Sequence, residues 1–399
     1  MHRNLLPLLI LMVLLSPLAI DIYLPSMPTM ALEYGVSDSQ VQSTLVLFLF
    51  AMGIGQILIG PLADRFGRRP IAIFGIVFYG VSSLLGAYAV EFELLQLARV
   101  FQGLAACSTS IVVFSAVRDC YSNKESVSIY SYLNGAICVV PALAPTLGGL
   151  LALQFGWRST FIFMALYAII VLFIVGFKFP ETRPLNTDSS GKLYRWGRYK
   201  PVLSDGHFMF YASACMVAMA SILCYVSYAP VWLIGRLGIS ELTFSALFAL
   251  NAVVNVAACF AAPVLIKRIG NRAGVVVALN LMVVAAVVEV VVQLIGPQTG
   301  LAARLGFMLP MMILCAGFAI LLGPATGMAL AGFGERAGTA TAMLGCIQMS
   351  GAAILTALIQ LTDIPAPYAI ALLMGGLCSL LLLMMGMKRF SHWHQEQHA

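Results

Sequence analysis

The chain has 399 residues, of which 61% are hydrophobic and only 10% are charged, and its mean hydropathy is +0.96. A soluble domain carries about 25% charged residues because its surface must be solvated. This composition therefore excludes a soluble enzyme, a disordered chain and a disulfide-stapled secreted domain, and it indicates a membrane protein with many spans.

Twelve apolar runs are long enough to cross a bilayer, which takes about 20 residues of helix. We number them spans 1–12, and they begin near Leu5, Val41, Ile71, Leu94, Val127, Thr160, Phe208, Phe244, Ala273, Leu305, Thr339 and Pro367. The sequence therefore predicts an all-α membrane protein with twelve transmembrane helices.

The basic residues predict the orientation of these spans, because cytoplasmic loops accumulate Lys and Arg. With a cytoplasmic N-terminus, 18 of the 22 Lys and Arg residues fall on the cytoplasmic side, and Arg158, Arg236 and Arg304 fall on the other. Arg99 lies inside a span. Both termini are expected in the cytoplasm, and because topology explains the net charge of +6, no nucleic-acid partner is expected.

A polar stretch divides the chain into two halves of six spans. We predict an N-terminal bundle (1–179), a cytoplasmic linker (180–206), a C-terminal bundle (207–390) and a cytoplasmic tail (391–399). The tail histidines His392, His394 and His398 are interpreted as part of a solvated end. The nine cysteines show no metal-ligand spacing, so no metal site is expected.

The two halves carry related loops. The sequence GPLADRFGRR (60–69) follows span 2, and PVLIKRIGNR (263–272) follows span 8. Aligning Gly67 with Gly270 gives an offset of 203 residues, which also separates the predicted starts of spans 1 and 7. This common offset predicts an internal repeat, a frequent feature of transporters.

At this point the chain resembles the major facilitator superfamily. Loop 60–69 matches the superfamily signature between spans 2 and 3, and Arg99, Gln102 and Gly103 match its span-4 pattern R-x-x-Q-G. Span 5 resembles a motif associated with antiporters, through Gly135, Pro141, Pro145, Gly148 and Gly149. The stretches DIYLP (21–25), VRD (117–119) and PALAP (141–145) resemble the bicyclomycin/chloramphenicol-resistance branch of drug:proton antiporters.

The resemblance implies two six-helix bundles related by a pseudo-two-fold axis, working by alternating access as a monomer in the bacterial cytoplasmic membrane. It also implies a conformational latch on the cytoplasmic side, formed by Gly60, Asp64, Arg65, Gly67, Arg68 and Asp119. Asp64 would face the N-terminus of span 11, Arg68 would pair with Asp119, and the glycines would allow close packing and a tight turn. The alternative is that these charges serve topology alone.

Three ionisable residues lie at membrane depth, where a charge costs at least about 2.5–3.5 kcal/mol. In this fold Arg99 of span 4 is expected to reach Asp21 of span 1, and the resemblance ties the pair to proton coupling. A static Asp–Arg pair between two helices is the alternative, and Arg99 has a further alternative role in contacting an anionic or carbonyl-bearing substrate. Glu289, toward the outer end of span 9, is interpreted as an interface residue whose side chain snorkels to the membrane surface.

The resemblance places a substrate cavity among spans 1, 2, 4, 5, 7, 8, 10 and 11. The predicted contacts there are Tyr23, Gln102, Asn134, Tyr225, Tyr228, Asn251 and Gln348, although each of these is also an ordinary core residue type. No carboxylate cluster would select a dication, so a neutral or weakly charged amphiphile is expected.

We therefore predict a proton-coupled exporter of lipophilic drugs of the chloramphenicol kind, which needs no cofactor because the proton gradient supplies the energy. An exporter or uniporter of a natural metabolite is the alternative. An intramembrane enzyme is not expected, because no HExxH, GxGD or Ser/His couple lies within a span.

Overall fold

A computed structural model describes residues 5–184, 194, 196–297, 299–333, 336–362 and 364–394. All regular elements among these residues are helices. The chain divides into two compact units, Met1–Arg195 and Trp196–Ala399, and this division falls inside the predicted linker 180–206.

Twelve helices of the described residues are long and apolar enough to cross a membrane, as predicted. In chain order they are Leu6–Tyr34, Asp38–Phe66, Arg68–Ala87, Phe92–Cys120, Ser128–Phe155, Arg158–Lys178, Gly206–Arg236, Glu241–Ile269, Asn271–Ile295, Gly300–Leu330, Ala337–Gln360 and Ala366–Gly386. Spans 1–6 belong to the first unit and spans 7–12 to the second.

Span 1 is interrupted near its middle. Its α-helical segments are Leu6–Val13, Leu15–Asp21 and Met27–Tyr34, with one 3-10 turn, Leu24–Ser26, before the last. Pro25 lacks the N–H that would bond the carbonyl of Asp21, so the regular helix ends there. Asp21 therefore lies at the break of a kinked span, close to mid-length.

The internal repeat is visible in the backbone. After spans 1 and 7, Gly35 and Gly238 adopt φ values of 63° and 64°. Spans 2 and 8 each begin after a serine that accepts a hydrogen bond from the backbone N–H three residues on, Ser37 at 3.3 Å and Ser240 at 3.2 Å. Gly67 and Gly270 adopt φ values of 104° and 86°. Each of these three pairs has the offset of 203 residues.

Span 5 contacts span 1 at the break beside Asp21. A Cβ atom on Gly148 would overlap the carbonyl oxygen of Ile22, so only glycine permits this approach of the two backbones. Gly135, on the same helix, has no atom within 4 Å of the position a Cβ would take. The two glycines of the span-5 motif therefore differ in what they do.

The substitutions Gly148→Ala and Gly135→Ala are expected to change stability in opposite directions. Overpacking at Gly148 should lower the free energy of unfolding by about 1–3 kcal/mol. Gly135→Ala should raise it by about 0.5–1 kcal/mol, because alanine loses less conformational freedom in a helix. Unfolding in detergent micelles measures both, and equal effects of the two variants would contradict the contact with Ile22.

Candidate functional site

Arg99 lies fully buried in span 4, where its guanidinium donates hydrogen bonds to four neighbours. These are the carbonyl oxygen of Thr44 at 3.3 Å, the carbonyl oxygen of Ala19 at 3.0 Å, the side-chain oxygen of Gln102 and the hydroxyl of Tyr23 at 3.5 Å. The rings of Tyr23 and Phe48 each lie 4.6 Å from the guanidinium carbon. Carbonyl dipoles and aromatic faces therefore stabilise this cation without a carboxylate.

The groups around Arg99 connect four spans. Gln102 donates to the Ser83 hydroxyl at 2.8 Å, and the hydroxyl of Ser83 donates to the Tyr79 carbonyl at 2.7 Å. The phenol of Tyr79 donates to the Leu15 carbonyl at 2.8 Å. Spans 1, 3 and 4 are joined by these bonds, and the Arg99 bond to Thr44 adds span 2. Sequence analysis missed Ser83 and Tyr79, since a hydroxyl in an apolar run gives no signal of its partner.

Asp21 differs from Arg99 in its surroundings. Its side chain is buried, yet among the described residues no hydrogen bond or ion pair reaches its carboxyl. The expected contact between Asp21 and Arg99 is not formed, because backbone carbonyls already occupy the donors of Arg99. The static Asp–Arg pair, our alternative interpretation, is likewise not seen in this structure.

The predicted substrate contacts lie in different surroundings. Tyr23 and Gln102 belong to the Arg99 network, and the Asn251 amide donates to the Tyr225 hydroxyl at 2.7 Å in the second unit. Tyr228 is buried, Gln348 is half-buried and Asn134 is exposed. Their contact with a substrate stays a prediction.

An aromatic cluster surrounds Tyr225. Its ring stacks on Phe248 at 5.8 Å with an interplanar angle of 14°, and it also contacts Phe307 at 6.3 Å. Phe307 in turn contacts Trp232, which lies in the π-helical segment Val231–Arg236 of span 7. A second π-helical segment, Ile347–Gly351, includes Gln348. Such segments are frequent at functional sites.

The predicted pairing of Arg68 with Asp119 is confirmed. The buried Arg68 guanidinium lies 3.0 Å from the Asp119 carboxylate and 2.7 Å from that of Asp64. Asp119 is nearly buried, whereas Asp64 is 52% exposed. Gly67 makes the expected tight turn at φ 104°. The close packing expected at Gly60 is not seen, because no atom lies within 4 Å of the position a Cβ would take.

Two residues that follow span 6, Glu181 and Arg183, bond the loop between spans 2 and 3. The sequence had placed both in the linker and gave no sign of these contacts. The Glu181 carboxylate accepts hydrogen bonds from the backbone N–H groups of Arg68 at 2.8 Å and Arg69 at 3.2 Å, at the start of span 3. The Arg183 guanidinium donates to the carbonyl oxygens of Asp64 at 3.2 Å and Arg65 at 2.5 Å, at the end of span 2. An anion thus caps a helix N-terminus and a cation caps a helix C-terminus, which stabilises both ends.

Burial raises the pKa of Glu181, but the backbone N–H donors of Arg183, Arg68, Arg69 and Thr182 outweigh it. The pKa therefore lies below its ordinary value of 4.5.

The interpretation of the tail as a solvated end is wrong for His394. Residues Ser391–His394 form a helical turn that packs on span 7, and the His394 side chain is buried. Tyr211 donates to its carbonyl at 2.9 Å, and Arg272 donates to its Nδ1 at 3.3 Å. Burial and the Arg272 cation hold the pKa of His394 below its usual value. His392 is exposed, and His398 lies outside the described residues.

The interpretation of Glu289 as a snorkelling interface residue is also wrong. Its side chain is 0% exposed, because it faces the neighbouring helices of the second unit. A long polar side chain near the end of a span does not reveal which face of the helix it occupies, so the sequence alone could not decide this.

Comparisons with known proteins agree with the predicted family. A family model described as Major Facilitator Superfamily matches residues 9–356. Multidrug resistance protein MdtL of Shewanella oneidensis is 30% identical over 375 residues, covering 94% of this chain and 93% of the relative. A chloramphenicol resistance protein of Pseudomonas aeruginosa is 32% identical over 335 residues, covering 84% and 78%. A partially occluded inward-open structure of the xylose transporter XylE from E. coli, 15% identical, shares the fold with a TM-score of 0.75 over 96% of both chains.

The bonds of Glu181 predict a pH-dependent contribution to stability. Because the folded state lowers its pKa, the contribution is fully present above about pH 4.5, the ordinary value, and is lost as the pH falls through the lower folded value. Thermal unfolding of wild type and Glu181→Gln in detergent should therefore differ at neutral pH and converge in acid.

Glu91→Gln is the matched control, since Glu91 is exposed at the start of span 4 and its side chain makes no capping bond. A difference between wild type and Glu181→Gln that stays constant down to strongly acidic pH would contradict the role of the carboxylate.

Proposed function

Because the chain belongs to the Major Facilitator Superfamily, and is therefore a multi-pass membrane transporter and not an enzyme, we propose that it exports lipophilic drugs in exchange for protons. The names of the two relatives, multidrug resistance protein and chloramphenicol resistance protein, support the substrate class. The observation that carries the coupling is the buried carboxyl of Asp21, for which the described residues supply no hydrogen bond or ion pair.

The contrast between Asp21 and Arg99 supports this role. Arg99 is fully buried but has acceptors on two neighbouring spans and on its own, so its charge can remain in place throughout a cycle. No described residue of the same bundle gives an ionised Asp21 a donor or a cation, and such a charge is costly. Binding a proton removes the charge and its cost.

The same carboxyl explains why a drug and a proton can be exchanged for each other. An ionised Asp21 can accept charge-assisted hydrogen bonds from a bound substrate at both oxygens, whereas a proton turns one oxygen into a donor and removes the charge that strengthens those bonds, so the two compete. Lipophilic drugs that carry hydroxyl or amide groups supply such donors. The drug therefore displaces the proton, and the proton displaces the drug.

The cycle that follows is alternating access. The drug binds from the cytoplasm with Asp21 ionised and leaves outward, and a proton from outside then neutralises Asp21 for the return. A unit charge crossing 100 mV supplies about 2.3 kcal/mol, so each proton sustains about a 50-fold gradient of a neutral drug. No cofactor takes part, and the protein works as a monomer.

The orientation belongs to the same proposal. Both termini and the loop between spans 2 and 3 lie in the cytoplasm, and the membrane is the bacterial inner membrane. The loop then acts as a conformational latch whose Arg68, Asp119, Glu181 and Arg183 contacts set the balance of states without contacting substrate.

The substitution Asp21→Asn should lower the limiting drug gradient by about 50-fold per 100 mV, since one proton is no longer coupled. It should leave drug-for-drug exchange intact, because the amide keeps the size and polarity of the side chain. Proteoliposomes loaded with chloramphenicol and energised by a proton gradient measure both quantities.

Asp38→Asn is the control, because Asp38 is an exposed acid in the first turn of span 2. It should behave as wild type. A full drug gradient in Asp21→Asn would contradict the role of Asp21, and export by wild type without any proton movement would identify a uniporter.

A further inference from the structure

Glu289 is a second buried carboxyl, and it lies in the C-terminal unit. It belongs to span 9, which packs against spans 8, 10 and 12. Its Oε1 accepts a hydrogen bond from the Gln293 amide at 3.2 Å, one turn along the same helix. Its Oε2 is buried without a hydrogen-bond partner. Half of this carboxyl is therefore unsatisfied in a site closed to solvent.

The charged groups on the surrounding helices are few. Span 10 carries Arg304, and span 12 carries no Asp, Glu, Lys or Arg. The titratable groups of span 12 are the Tyr368 phenol and the Cys378 thiol, which lies 3.9 Å from the sulfur of Met282 in span 9. Span 8 carries Glu241 in its first turn and Lys267 and Arg268 in its last. Span 9 itself has Arg272 at the end opposite to Glu289. Arg304 is thus the one cation of these helices near the same end as Glu289.

Arg304 lies at a level close to that of Glu289 on the adjacent helix. A Cβ on Gly306 would contact the Val292 side chain, which sets the register of the antiparallel spans 9 and 10. With a rise of 1.5 Å per residue, Glu289 and Arg304 then differ by about 7–8 Å along the helix axis. The Nε of Arg304 is also buried without a partner. One carboxylate oxygen and one guanidinium nitrogen on adjacent helices thus both lack a hydrogen-bond partner among the described residues.

We propose that Glu289 is a second proton-binding carboxyl of the transport cycle and that Arg304 is its counter-ion when the proton has left. This inference rests on the proposed proton-coupled export. In the state seen here the carboxyl holds a proton, so no cation is needed. When the proton leaves, the carboxylate attracts Arg304 across the contact of spans 9 and 10, and the contact changes with the protonation state.

The residue type supports a protonation site over a structural one. A glutamine at position 289 would keep the hydrogen bond to Gln293 and would never carry the cost of a buried charge. A carboxyl, unlike a glutamine, can exchange a proton, and proton relays are among the roles of acids at membrane depth.

The test is the number of protons moved per drug molecule, measured in proteoliposomes from the membrane potential or pH difference that just balances a chloramphenicol gradient. Glu289→Gln should lower this ratio by one proton while export continues. Arg304→Gln should lower it similarly, because the carboxylate loses its counter-ion. Glu93→Gln, an exposed acid in the first turn of span 4, should leave it unchanged.

An unchanged ratio in Glu289→Gln would overturn the inference, even if Asp21 proves to be coupled. If wild type moves no protons with drug, the proposed function fails first, and infrared spectroscopy decides the state of Glu289. A protonated-carboxyl carbonyl band at neutral pH that disappears in Glu289→Gln would support the site. A band that persists at full intensity in this variant would overturn it.

Discussion

A charge buried among apolar helices must find a partner or be neutralised, and in the N-terminal unit this requirement is met in two ways. Arg99 has carbonyl oxygens of spans 1 and 2 and two aromatic faces around it, so it is a permanent cation that also joins these spans. Asp21 lies at the break of span 1, where no described residue bonds its carboxyl, so its charge depends on what binds. Gly148 brings the backbone of span 5 against the same break.

The loop between spans 2 and 3 shows the other solution, since its buried charges and the charges that cap its helix ends have fixed partners. Arg68 lies between Asp64 and Asp119, Glu181 caps the start of span 3, and Arg183 caps the end of span 2. Such a loop is a rigid element whose arrangement responds to the loss of any one partner. This suits a part of the molecule that holds a state, whereas Asp21 suits a part that exchanges a ligand.

Much of the fold could be predicted from the sequence because hydropathy fixes the number of spans and one loop motif recurs at a constant offset. The pairing of Arg68 with Asp119 followed from the family motif. The partners of Arg99 could not be predicted, because backbone carbonyls exist at every residue and leave no mark in the sequence. Glu181 and His394 were misjudged for a related reason, since a polar residue beside a span looks the same whether it is solvated or caps a helix.

The central claim is that proton and drug compete for Asp21, and the most direct measurement is proton release on drug binding. The protein in weakly buffered detergent solution would be mixed with a drug that it is found to export, and a pH indicator would report the protons set free. Wild type should release up to one more proton per bound drug than Asp21→Asn, at a pH where Asp21 is protonated before the drug binds. Equal release by the two proteins, with equal drug binding, would contradict the account.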